Sequence, residues 1–120
     1  MRFLTDKRPI VECHIGGKLA NFLLDTGASV GLIDRDFINR YALTAGKRYQ
    51  GKIIGAGGAM NGVRHCDSFV TMPNGVDVAQ FLLTDISAVR ESIEKETGIE
   101  IVGIISWPQM KFAGITINTN

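Results

Sequence analysis

"NFLLDTGASVG", residues 21–31, ends a run of apolar residues on a carboxylate, Asp25. Aspartate is among the residues least often fully buried, and an unpaired acid taken out of water changes its protonation state rather than stay charged. Two readings follow: a strand that simply stops at Asp25, or an acid that the fold delivers to one place for use. Gly27 lets backbone approach a ligand closely, and the Thr26 hydroxyl can lock the turn by hydrogen bonding. An Asp-Thr-Gly turn also closes many strands that carry no chemistry, so these three residues alone leave both readings open.

Upstream, "IVECHI" (10–15) and "LANFLLD" (19–25) flank Gly16-Gly17-Lys18, two β-prone runs around a turn, which predicts a hairpin whose second strand carries Asp25 at its end. Downstream, "DRDFINRYAL" (34–43) offers Asp34 as an N-cap and then Phe37, Ile38 and Tyr41 at helical spacing, with Gly46 as the stop. Five glycines between Tyr49 and Val63, flanked by β-prone stretches, predict a hairpin with a mobile tip. Pro73-Asn74-Gly75 is a turn leading into a strand with Val76, Val78, Phe81 and Leu82. The clearest helix is "DISAVRESIEKETG" (85–98): Asp85 or Ser87 caps it, Ile86, Val89 and Ile93 share one face, and Gly98 follows its end. Arg90, Glu91, Glu94 and Lys95 form its expected solvated face. "IEIVGII" (99–105) and "AGITIN" (113–118) read as closing strands, and Trp107, before Pro108, as a core or interface anchor. Strands dominate, and the two helices do not alternate with them, which disfavours parallel βαβ winding.

At 120 residues, 45% hydrophobic and 21% charged, the chain fits one globular domain, residues 1–120. A net charge of +1 without a basic block gives no electrostatic footprint for nucleic acid. The first twenty residues are too charged for a signal peptide, and no apolar run reaches the ~18 residues of a membrane span. The expectation is a soluble, cytoplasmic protein without membrane or nucleic-acid partner. Cys13-His14 and His65-Cys66 raise the question of zinc; neighbours on a strand point to opposite faces, so each pair offers at most one ligand to a common metal, and no metal is expected. "GAGGAMNG" (55–62) has Met60 where a dinucleotide-binding loop needs its third glycine, and no phosphate-cradling Gly-Lys-Ser or Gly-Lys-Thr, so no cofactor is expected. It reads better as a lid.

With its hairpin before and its glycine-rich hairpin after, Leu23-Leu24-Asp25-Thr26-Gly27-Ala28-Ser29 resembles the retroviral-type (retropepsin-like) aspartic proteases, in particular their bacterial and phage-like single-domain members. The resemblance covers about the whole chain. It implies a mostly β fold, a closed β-barrel of the acid protease type with one or two short helices. It also implies a homodimer acting on polypeptide substrates, since each subunit of that family supplies one such aspartate and this chain has one copy. Carried over, Asp25 is the catalytic carboxylate, Thr26 hydrogen-bonds across the dimer, and Gly27, Ala28 and Ser29 face the substrate. Gly55, Ala56, Gly57, Gly58, Ala59 and Met60 belong to the flap that closes over it. Two carboxylates forced together cannot both ionise; they share a proton, and the pair can activate a water for attack on a peptide carbonyl.

The chain departs from that family at its second landmark. Gly103-Ile104-Ile105-Ser106-Trp107-Pro108 has Ser106 where a glycine is usual and Pro108 where an acid is usual; the alternative register, on Gly103, leaves Ile105 where Asp or Asn is usual. This departure motivates a second reading, a catalytically inactive dimer of the same fold serving peptide binding or assembly.

Overall fold

Two glycines make the first turn. The computed structural model describes residues 2–51 and 62–117, and in it β1 (Ile10–Ile15) and β2 (Lys18–Asp25) pair antiparallel, from Ile10 opposite Leu23 to Ile15 opposite Lys18. Gly16 and Gly17 hold φ of 56° and 81°, the successive positive values of a turn that follows the strands' twist. Asp25 is the last residue of β2, as its sequence context requires.

After the Asp25 loop come β3 (Gly31–Asp34), a 3-10 turn (Arg35–Phe37) and α1 (Ile38–Tyr41). Asp34 caps the turn, its carboxylate accepting from the Asp36 N–H at 3.0 Å. The helical segment ends earlier than expected: Ala42 takes the left-handed conformation at φ 50°, and Gly46 lies inside β4 (Ala45–Arg48). β4 pairs antiparallel with β5 (Arg64–Cys66), so both arms of the glycine-rich hairpin are formed; its tip, residues 52–61, lies outside the described residues. β6 (Val70–Thr71) and β7 (Asp77–Val78) pair across the Pro73-Asn74-Gly75 turn. The strand expected from Val76 to Leu82 is two strands, because Gln80 at φ 68° breaks it, and β8 (Phe81–Thr84) joins a different part of the sheet. Then follow α2 (Ser87–Thr97), β9 (Gly103–Ser106) and α3 (Trp107–Phe112). "AGITIN" forms no strand over its described residues, 113–117.

The nine strands among the described residues make one sheet in the order β4-β5-β8-β3-β9-β2-β1-β6-β7. This corrects the closed barrel: among the described residues no pairing joins the edges β4 and β7, and β7, two residues long, offers almost no ladder to close with. β9 enters the middle, parallel to β2 and antiparallel to β3.

Alternation along the strands separates two faces. Ala20, Phe22 and Leu24 of β2 are buried in the larger core with Ile33, Phe81, Leu83 and Ile105, the Phe22 and Phe81 rings tilted at 5.8 Å. Leu23 and Asp25, half-buried, occupy the alternate positions. Leu32, Leu82 and Ile104 belong to a second core with Ile86, which precedes α2, while Val89 of α2 packs against it and Leu23 lies at its margin.

α2 is fixed at several points. The Asp85 carboxylate accepts from the Ser87 N–H at 2.9 Å, and Gly98 ends the helix at φ 74°. Arg90 is not on the solvated face: it reaches inward to Asp34, whose side chain is buried, at 3.0 Å, and its guanidinium lies 4.4 Å over the Phe37 ring. Four residues after Ile86, it shares that residue's side of the helix. Periodicity of apolar residues misses it because a charge stands in the inward position.

Gly103 marks the tightest crossing. A Cβ there would collide with the Leu32 carbonyl oxygen and lie 2.7 Å from the Phe22 ring. Gly103→Ala is expected to lower stability by about 1–3 kcal/mol, read as a lower midpoint of urea unfolding; an unchanged midpoint would contradict the crossing.

Candidate functional site

Asp25 is delivered by a strand and held by a turn. The parallel pairing of β2 with β9 sets Leu24 beside Ile105 and Asp25 beside Ser106. Beyond it the chain folds back. The Gly27 N–H donates to Asp25 Oδ1 at 2.9 Å, and the Ala28 N–H donates to the Asp25 carbonyl at 3.1 Å. Gly27 suits this approach: a Cβ there would sit 3.3 Å from the same Oδ1. Thr26, Gly27 and Ser29 are exposed, while Asp25 and Ala28 are half-buried. The five loop residues singled out in the sequence therefore stand together, with one carboxylate oriented by backbone. Gly55, Ala56, Gly57, Gly58, Ala59 and Met60 lie outside the described residues.

Behind the loop stands α3. The Trp107 N–H donates to the Ala28 carbonyl at 3.1 Å, so the first turn of the helix ties the Asp25 loop down. Trp107 itself is 40% exposed, which excludes the core half of the core-or-interface expectation. Ser106 and Gln109 close a capping box: Gln109 N–H donates to Ser106 Oγ at 3.3 Å, and Gln109 Oε1 accepts from the Ser106 N–H at 2.9 Å. Ser106 Oγ also donates to Gln109 Oε1 at 2.9 Å. Each partner satisfies a backbone donor that the helix start leaves open. Pro108 stands in the first turn, where its missing N–H is harmless. Gln109 continues to the Ala79 carbonyl through Nε2 at 2.7 Å, and Gly31 leaves room for its amide, which a Cβ there would strike.

Ser106 and Pro108, departures of the second landmark, thus form with Gln109 a self-consistent helix start. The pairing of β2 with β9 sets Ser106 beside Asp25. Sequence reasoning missed this support, although Ser-x-x-Gln was visible as a capping-box signature. The Arg90–Asp34 pair was missed as well, and there no local signal existed.

The cysteines offer little chemistry. Burial pushes the Cys13 thiol up to about 12 and raises that of Cys66, so neither presents a thiolate near neutral pH. Among the described residues no three His, Cys, Asp or Glu side chains gather as a metal could require.

Residues 11–105 match the sequence family described as aspartyl protease. Among solved structures, the EIAV protease complexed with the inhibitor HBY-793 is similar to this chain, with 25% identity and a TM-score of 0.63 over 98% of this chain and 99% of that one. No curated protein matches it.

The capping box makes a prediction. Ser106→Ala removes the cap of a helix whose first N–H holds the Asp25 loop, and is expected to lower stability by about 1–2 kcal/mol in chemical denaturation. A change under about 0.5 kcal/mol would mean that the cap contributes little.

Proposed function

The chain belongs to the aspartyl protease family, and from that premise we propose that it is an aspartic endopeptidase whose active site forms between two identical chains, each contributing Asp25. The observation that carries this reading is the loop itself: one carboxylate at a strand end, oriented by the Gly27 N–H at 2.9 Å and backed by the Trp107 N–H on Ala28. A single Asp-Thr-Gly in 120 residues makes half a site. The other half comes from a second copy across a two-fold axis, where Thr26, exposed beside Asp25, meets its counterpart.

Brought together, two such carboxylates share one proton. The charged member takes a proton from a water held between them, and the neutral member donates to the carbonyl oxygen of the scissile peptide, so water attacks without a covalent intermediate. The substrate lies extended along Gly27, Ala28 and Ser29, bound through backbone hydrogen bonds. The segment from Gly55 to Gly62 closes over it and excludes water.

The inactive-dimer reading drew on the altered second landmark. The capping box weakens that motive, because Ser106 and Gln109 supply the loop's backing by another route.

The test is cleavage of an unstructured protein across acid to neutral pH by wild type and Asp25→Asn. Expected is a bell-shaped profile, since activity fails when the pair is doubly protonated on the acid side and doubly ionised on the alkaline side. A rate lower by about 1,000-fold is expected in the variant, with sedimentation at twice the monomer mass for both. Equal cleavage by the two proteins, or a wild type that is inactive and monomeric, would refute the proposal.

A further inference from the structure

Positive charge gathers on one hairpin. The stretch from Thr44 to Cys66, which spans β4, the hairpin tip and β5, holds Lys47, Arg48, Lys52 and Arg64, four of the 13 Lys and Arg, and none of the 12 Asp and Glu. The rest of the chain is therefore net acidic, although the whole carries only +1. Lys52 lies outside the described residues; Lys47, Arg48 and Arg64 are exposed on the two arms. The nearest acid in sequence, Asp67, sits at the foot of the hairpin, where a Cβ at Gly46 would lie 2.6 Å from its Oδ2.

Three arginines elsewhere hold carboxylates: Arg8 on Glu96, Arg40 on Glu100 and Arg90 on Asp34. Arg35, beside the second arm at Gly62, faces Asp85. Among the described residues Arg48 and Arg64 have no ion-pair partner, and the pairing of β4 with β5 sets them directly opposite each other. Like charges so placed repel and destabilise the strand pair. Edge protection does not account for both. β4 is an edge of the sheet among the described residues, and charged side chains keep such an edge from pairing with other chains; Lys47 and Arg48 meet that need. Arg64 stands on the inner strand β5, where it guards no edge and adds repulsion. A surface that binds negative charge, by contrast, uses a second guanidinium one strand spacing, ~4.8 Å, away.

Alternation decides which part of a partner meets them. Cys66 is buried in the larger core, and Arg64, two residues earlier, shares its face of β5. Tyr49 and Val63, the chain neighbours of Arg48 and Arg64, belong with the second core, on the Asp25 side. The two arginines therefore stand on the outer face of the arms. A peptide seated at Asp25 lies under the other face, so the arginines meet the parts of the chain that run past the hairpin, and their field reaches about 10 Å at 0.1 M salt. The occupant that charge complementarity selects is an acidic polypeptide segment; a phosphate backbone calls for a longer basic stripe and a strongly basic domain, which a net charge of +1 does not give.

We propose that Arg48 and Arg64 form an anion-recognition surface on the outer face of the glycine-rich hairpin, which draws in polypeptides with acidic segments flanking the scissile bond and makes acidic proteins the preferred substrate class. The inference rests on the peptidase reading, in which every substrate enters past this hairpin. Attraction of this kind speeds encounter more than it tightens the bound state, and salt removes it.

The experiment takes a peptide built around one bond that the wild type cleaves and extends it beyond the cleaved core with a run of Glu or a run of Gln. At low ionic strength the wild type is expected to cleave the Glu form with kcat/KM about tenfold above the Gln form, through KM and not kcat, and the ratio falls to about one near 1 M salt. In the double variant Arg48→Gln/Arg64→Gln the ratio is about one already at low salt, while the urea midpoint does not drop, because a repulsion has been removed. Arg48→Lys/Arg64→Lys keeps the charge and restores the preference. Equal cleavage of the two forms by the wild type, or a preference that survives Arg48→Gln/Arg64→Gln, overturns the inference and leaves the proposed function intact. Binding of fluorescent Glu-rich and Gln-rich peptides in the Asp25→Asn background separates the two claims: if the wild type cleaves nothing but a Glu preference in binding vanishes with Arg48→Gln/Arg64→Gln, the peptidase reading falls and the surface stands. If the arginines govern self-association in sedimentation, or binding of an oligonucleotide, and not that of the Glu-rich peptide, their partner is another molecule and the inference is overturned.

Discussion

Everything at the candidate site depends on β9 lying parallel beside β2. That pairing sets Asp25 next to Ser106, so the strand that ends on the acid and the strand that begins α3 finish at one level of the sheet. The Trp107 N–H can then reach the Ala28 carbonyl. The loop that carries Asp25 is tied to a helix start that the sheet, and not the loop, positions. Gly103 makes this possible: only without a side chain can β9 pass so close to the Leu32 carbonyl and the Phe22 ring.

The same crossing fixes where the start of α3 meets the Asp25 loop. The backing of the Asp25 loop requires a helix N-terminus in the right place and satisfied backbone donors at that N-terminus. Ser106 and Gln109 meet the second condition reciprocally, and Pro108 suits the first turn. Gln109 does more than cap, since its amide fits over Gly31 and bonds Ala79. What looks irregular along the sequence is a set of mutually satisfied contacts in three dimensions, joining β9, α3 and β3.

Legibility in the sequence followed the range of the forces involved. The Gly16-Gly17 hairpin, the Asp34 cap and the helix before Gly98 are set by residues a few positions apart, and all were readable. The end of the first helix at Ala42 and the break at Gln80 were not, because both need a non-glycine residue at positive φ that surrounding packing imposes. Arg90 was assigned to solvent by its charge; its partner Asp34 is 56 residues away in sequence. The closed barrel is not formed among the described residues for a related reason: closure depends on edge strands meeting, and the edge strand β7 is two residues long. At the site, Asp25 to Ser29 were legible as a tight turn, whereas their support from α3 depended on a strand register that no local pattern reveals.

The two faces of the sheet divide the labour. One is closed by the large core around Phe22 and Phe81 and contributes stability. The other carries Leu23 and Asp25 at alternate positions of β2 and is covered by α2 only in part, so Leu23, Ala28, Val30 and Val89 remain half-buried around the second core. Apolar groups left partly in water beside a carboxylate are unfavourable for a chain that only needs to fold, since each keeps hydrocarbon hydrated that further packing would cover. The Arg90–Asp34 pair fits this division: it fixes α2 by a buried, directional contact without extending apolar cover over Asp25, so the helix is held in place while the face beside the acid stays open.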